Sequence, residues 1–145
     1  MSTGPESNLY KRLKKRITEF EITRLESRTG LGIPDCLVAV PFEEDGKTFK
    51  FFLTLELKVT TTRSLRISPH QVAFHVKHKD APSLILVYYA PTKFDTSNEY
   101  FLFHGRQVMD LMVMGLDTPP LFRVTERFID WKVLKQVLLD SIYVR

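Results

Sequence analysis

Apolar positions recur along the chain at two periods. Residues 6–17, ESNLYKRLKKRI, place Leu9, Tyr10, Leu13 and Ile17 three or four apart with cations mostly opposite, which predicts an amphipathic helix. Residues 20–26, FEITRLE, predict a short strand, followed by the glycine- and proline-bearing loop SRTGLGIP. DCLVAV at 35–40 is the next strand, and EEDGK at 43–47 carries an Asp-Gly turn signal, so DCLVAVPF and TFKFFLTLELKV are expected to pair as a hairpin. After the polar, basic loop TTTRSLRI, Ser68 and Pro69 suit the N-cap and first turn of a helix over SPHQVAFHVKH. SLILVYYA at 83–90 and EYFLFH at 99–104 read as buried strands, and GRQVMDLMVMG and DWKVLKQVLLDSIY as helices of a C-terminal part, residues 105–145. Residues 91–98, PTKFDTSN, suit either a turn or a flap over a substrate. Strands and helices intermix, so the expected fold is α/β: a single domain with a mixed central β-sheet flanked by helices.

Composition narrows the setting. The chain has 145 residues, one domain's worth, with 43% apolar and 26% charged residues, the balance of an ordinary globular protein. No apolar run approaches the roughly 18–20 residues that span a bilayer, so no membrane partner is expected. MSTGPESNLYKRLKK lacks the apolar stretch of a signal peptide, which argues against export. A lone cysteine, Cys36, leaves no internal disulfide and fits a reducing cytoplasm, where it reads as a small buried hydrophobe rather than a nucleophile. Net charge is +4, and five of the six residues 11–16 are basic, which suits either a polyanionic partner or a solvated helix face.

Within the second hairpin strand lies LELKV. Alternation puts Phe51, Leu53, Leu55, Leu57 and Val59 on one face and Thr54, Glu56 and Lys58 on the other. An isolated Glu-x-Lys is most simply a solvent-facing pair. Here, however, GIPDC lies upstream, with Pro34 ending the glycine loop and Asp35 opening the partner strand. Pairing through EEDGK brings Asp35 near Glu56. Two carboxylates and the Leu57 carbonyl form an oxygen site for Mg²⁺ or Mn²⁺. Lys58, on the same face, can then hydrogen-bond an attacking water or a developing phosphorane oxygen.

Pro34-Asp35 followed by Glu56-Leu57-Lys58 resembles the PD-(D/E)xK nuclease superfamily. RISPHQ, with Ser68 and Gln71 opening the next helix, is similar to the branch holding Holliday-junction resolvases and virus-type replication-repair nucleases. RLESRTGLGIPD looks like the approach to the aspartate in phage-encoded members. The resemblance covers residues 6–90. It implies a restriction-endonuclease-like core with the active site at one edge of the sheet. It also implies that Gln71 completes the site and that Glu6 on the first helix contributes, although an acid there is equally a simple dipole partner. The expected activity is metal-dependent DNA endonuclease, with branched DNA such as Holliday junctions as substrate. The alternatives are a general, flap or single-strand nuclease of repair or recombination, and an inactive nucleic-acid-binding module.

On this reading Asp35, Glu56, Leu57 and Glu6 hold the metal, Lys58 stabilises hydroxide and transition state, and Gln71 orients water or phosphate. Glu26 and Ser27 border the glycine loop, and Glu26 serves either that loop's amides or catalysis. Arg28, Ser27 and Ser68 are phosphate contacts, as are Lys11, Arg12, Lys15, Arg63 and Arg66, whose alternative is a solubilising surface. Gln71, His75 and His78 share a helix face, which better suits a DNA groove or a partly buried histidine than zinc. Phe128, Trp131, Leu134, Val137, Leu138 and Ile142 have helical spacing and read as core or dimer seam, not as a base-stacking platform, and Met109, Met112 and Met114 as packing. Cutting two opposed strands favours a homodimer.

Overall fold

The computed structural model describes residues 4–25, 32–92 and 97–141. The expected hairpin forms its centre. β2 (Cys36–Glu44) and β3 (Lys47–Thr60) pair antiparallel from Glu44↔Lys47 to Cys36↔Leu55. Their connection is Asp45-Gly46, both at positive φ (52° and 73°), the two-residue geometry whose twist matches paired strands. β1 (Glu21–Arg24) adds antiparallel to β2. Beyond β3 the chain crosses over through α2 (Pro69–Lys77) to β4 (Ser83–Tyr89), which pairs parallel to β3. β5 (Glu99–His104) and β6 (Phe122–Thr125) continue antiparallel, giving a six-stranded mixed sheet in the order β1-β2-β3-β4-β5-β6.

Helices cover both faces, so the fold is α/β with a mixed sheet flanked by helices. α1 (Pro5–Arg16) and α4 (Trp131–Asp140) lie on one side. There Leu9, Leu13, Ile17, Leu134 and Leu138 pack in one cluster with Leu53, Leu55, Leu57, Leu84 and Leu86. Each large side chain so buried contributes roughly 1.5–3 kcal/mol. On the other side Ile85, Val87, Phe101 and Phe103 pack with Leu111 of α3 (Val108–Met114) and with Leu116. Among the described residues no helix is long and apolar enough to cross a membrane.

Several expectations change. β6 was not anticipated, being a four-residue edge strand behind two prolines. α4 starts at Trp131, capped by Asp130, and Phe128 precedes it on a 3-10 turn, 71% exposed instead of packed. Ile142 lies outside the described residues. Met109, Met112 and Met114 are exposed, because Val108 and Leu111 are the residues that α3 turns inward. Glu56 and Lys58 stand near the end of β3, a central strand of the sheet.

One joint ties the loop after β3 to the end of α3. Gly115 has φ 57° and ψ −135°, backbone that essentially only glycine adopts, and a Cβ there would lie 2.1 Å from the Arg63 carbonyl oxygen. The Leu116 N–H donates to that same oxygen at 2.8 Å, and Arg63 Nη2 reaches Asp117 Oδ1 at 2.8 Å. Gly115→Ala is expected to destabilise the chain by roughly 2–4 kcal/mol. An unaltered urea midpoint for the variant would show that this joint carries no strain.

Candidate active site

β3 outruns its partner: β2 begins opposite Leu55, so residues 56–60 have β4 on one side and no strand on the other. Asp35, immediately before β2, uses that gap. Its Oδ2 accepts the otherwise unpaired Leu57 N–H at 2.7 Å. N–H and C=O of one strand residue leave on the same edge, so the Leu57 carbonyl faces the Asp35 side as well. Gly32, at φ 74°, lets the loop before Asp35 lie against the start of α2, where a Cβ would meet the His70 carbonyl at 2.2 Å.

Glu56 shares its face of the sheet with Ile85 and Val87 and is 3% exposed. Its Oε1 accepts from Gln71 Nε2 at 2.5 Å and the Asp35 backbone lies close enough to favour the charged form, but Oε2 is buried without a partner. Lys58 Nζ donates to Gln71 Oε1 at 2.9 Å and to the Arg66 carbonyl at 3.0 Å, and lies 3.8 Å from Glu56 Oε1. Gln71 is therefore the bridge. Its Oε1 also accepts the Ser68 N–H at 3.0 Å, while Ser68 Oγ accepts the Gln71 N–H at 3.2 Å, a reciprocal capping box. Because Oε1 is committed to donors, Nε2 must be the atom that faces Glu56.

Glu6 reaches this region from the first turn of α1 and, with Lys58 and Arg66, lines an open groove of about 700 Å³. It also lines a seam too narrow for water, together with Tyr10, Arg24, Asp35 and Leu57. The charges are strongly coupled. Burial, then the nearby Asp35, raises the Glu56 carboxyl from 4.5 to about 8, against the opposing pull of Lys58. Burial raises Asp35 too, opposed by the Leu57 N–H and Lys58 and reinforced by Glu6. Asp35, Glu56 and Glu6 thus oppose one another's ionisation, with Lys58 and Arg24 as the counteracting cations.

The other anticipated residues separate. Glu26, Ser27 and Arg28 lie outside the described residues. Arg12 turns inward, donating to the Tyr100 hydroxyl at 2.7 Å and lying 4.9 Å from the Tyr88 ring centroid. Arg63 is engaged by Asp117, while Arg66 lines the groove beside Lys58 and Ser68 caps α2. Lys11 and Lys15 stand exposed on α1. His75 is fully buried, with Nδ1 3.2 Å from Ser83 Oγ, and burial lowers its pKa to about 4. It is a neutral core residue, with Phe74 rather than a metal ligand beside His78. Cys36 is buried and its thiol is pushed up to about 12, which fits a packing role.

Arg24 was missed. Its Nη1 donates to Ser7 Oγ at 3.0 Å, its guanidinium lies 5.5 Å from the Tyr10 ring centroid, and its charge counteracts the rise at Asp35. The available signal was alternation: Arg24 shares the inward face of β1 with buried Ile22.

Among the described residues no three or more His, Cys, Asp or Glu side chains converge tightly enough to hold a metal by themselves. The fit to a divalent cation instead rests on the orphaned Glu56 Oε2, Asp35 and the Leu57 carbonyl, a mixed set of hard oxygens that suits Mg²⁺ or Mn²⁺ completed by water. No protein-family profile, curated protein or solved structure matches the chain.

Between about pH 4.5 and 8, Glu56 is protonated in the folded chain and ionised in the unfolded one. The folded state then binds more protons, so this group makes stability fall as pH rises through that window and level off above it. Glu56→Gln is expected to flatten the decline and to stabilise the metal-free chain at pH 8. Equal pH slopes for variant and wild type in urea denaturation would contradict the raised carboxyl.

Proposed function

We propose that this chain is a metal-dependent DNA endonuclease of the PD-(D/E)xK type, acting on branched DNA such as Holliday junctions. The observation that carries the reading is the buried Glu56 carboxylate with one unpartnered oxygen, set beside Asp35 and linked by Gln71 to Lys58. Burying acids together raises their pKa values and costs stability, which a structural role would not require. The same arrangement suits a site that receives a cation.

Asp35, Glu56 and the Leu57 carbonyl would hold Mg²⁺ or Mn²⁺, with Glu6 contributing through water. Such an ion, when bound, lowers the pKa of water and neutralises charge on a phosphate. Lys58 supplies a positive donor at the mouth of the groove, where it can orient an attacking water and stabilise the charge that grows on the phosphoryl oxygens. Gln71 holds Lys58 and Glu56 at fixed separation, so neither charge has to be rearranged during the reaction. Water adds to phosphorus, one P–O bond breaks, and the leaving oxygen takes a proton. No covalent enzyme intermediate is needed.

The choice of branched DNA rests on the resemblance of residues 6–90, and the exposed cations Lys11, Lys15 and Arg66 support a nucleic-acid partner. Two-fold symmetric cutting favours a homodimer, supported by the exposed apolar side chains Met109, Met112 and Val113 of α3. The one buried thiol suits a reducing host cytoplasm.

Cleavage of a matched panel of four-way junction, flap, linear duplex and single strand tests the reading. Cutting is expected with Mg²⁺ or Mn²⁺ and not with EDTA, and Asp35→Ala, Glu56→Ala and Lys58→Ala should each reduce it about 100-fold or more. Wild-type cutting by all three variants would rule the site out. A monomeric mass with and without junction would remove the dimer.

A further inference from the structure

Four concavities follow α1 away from the active site, each sharing residues with the next. The groove beside Lys58 is bordered by Pro5 and Val59, which also line a smaller recess reaching Arg12. Arg12 borders a cleft of about 540 Å³, and this shares Arg16, Ile129 and Trp131 with another of about 490 Å³. The last two form a groove between α1 and α4, with Trp131 shared by both.

Its walls are cationic. Lys11, Lys15 and Arg16 come from α1, and Lys132 and Lys135 from α4. Lys135 is paired with Glu19 at 3.3 Å and Lys132 also acts on that carboxylate, whereas Lys11, Lys15 and Arg16 have no side-chain hydrogen bond or ion pair among the described residues. The acids nearby are otherwise engaged. Glu126 faces Arg12 at 3.8 Å, and Asp130 caps α4 by accepting the Lys132 N–H at 2.9 Å. Trp131 is half-buried, held edge-on by Tyr100 at 5.6 Å between ring centroids, and its indole N–H has no partner among the described residues.

A basic groove with a fixed aromatic ring is the arrangement that takes single strands without regard to sequence, because every base offers a π face and every nucleotide a phosphate. A duplex keeps its base faces stacked inside and presents backbone and base edges, so it offers no π face to a ring. We propose that the groove between α1 and α4 is a track for an unpaired nucleic-acid strand, with phosphates against Lys11, Lys15, Arg16 and Lys132 and a base against Trp131. The part of the inference that joins this track to the Asp35/Glu56 site rests on the nuclease reading. The twelve residues of α1 span about 18 Å, room for several nucleotides of a strand. Within the proposed class, this favours substrates that carry an unpaired arm.

Trp131 is the only tryptophan of the chain, so its emission reports on the groove without mutation. In EDTA, a thymine oligonucleotide of about 15 residues should quench it, and a duplex of the same length should not. Combining Lys11→Ala, Lys15→Ala and Lys132→Ala should weaken binding at least tenfold and reduce the slope of log affinity against log salt by about two. All three lysines are exposed, and an unchanged melting temperature checks that the fold survives. Unchanged emission, an unchanged salt slope in the triple variant, or equal quenching by duplex would each overturn the track. Quenching with the expected slope, but no cutting under any metal, would support the track and sink the nuclease reading. Metal-dependent cutting without quenching would do the reverse.

Discussion

A carboxylate taken out of water on the central strand of the sheet is the constraint around which this structure is arranged. Glu56 has lost its hydration, gains only part of it back from the hydrogen bond of Gln71, and is left with one oxygen unanswered. Nearby Lys58 offsets some of that cost, but it gives its hydrogen bonds to Gln71 and the Arg66 carbonyl. The neighbouring acids, Asp35 and Glu6, make the local field more negative still. Such a cluster persists only because the apolar contacts beneath it, from Leu53, Leu55 and Leu57 to the helices of the other layer, supply stability that the polar face does not.

The cluster also needs the uneven lengths of β2 and β3. Were β2 to begin a few residues earlier, its backbone would satisfy the Leu57 edge, and Asp35 would have no amide to accept. The overrun at residues 56–60 leaves that edge open, and the gap brings the α1 layer into reach of a carboxylate on the opposite face. That explains how Glu6 couples to Glu56 although their elements pack on different sides of the sheet. α2 is bound into the same arrangement. Gln71 caps its own helix with one side-chain atom and holds Glu56 with another, so the helix position and the site geometry are set by one residue.

Much of this was legible in the chain. The alternation of residues 51–59 separates core from charge, Asp-Gly marks the turn, and together they place Asp35 beside Glu56, as the strand register does. Ser68-Pro69 announces the helix, and Ser-x-x-Gln also spells the capping box, although the link from that box to Lys58 depends on tertiary placement. What failed did so for physical reasons. β6 is too short to show a period and exists because β5 offers it an edge. The methionines of α3 have helical spacing but sit on its solvent side, since two inward positions, Val108 and Leu111, suffice for a seven-residue helix. Arg12 reads as one more cation in a basic run, and only the fold shows that it is drawn inward by Tyr100 and Tyr88.

α1 unites the two functional regions through charge polarity. Glu6 occupies its first turn, and Lys14, Lys15 and Arg16 its last, each favourable to the helix dipole. Leu9 and Leu13, buried on the sheet, fix how the helix is rotated and so direct both ends at once. The separation matters electrostatically. Lys14, Lys15 and Arg16 follow Glu6 by eight to ten residues, about 12–15 Å along the helix axis and beyond the roughly 8–10 Å screening length of physiological salt, so they compete little with a cation near Glu6. They can still hold phosphates of a chain long enough to cover both. One amphipathic helix thereby keeps an acidic end at the site and a basic end on the proposed track, and a polyanion is the kind of ligand that could use both.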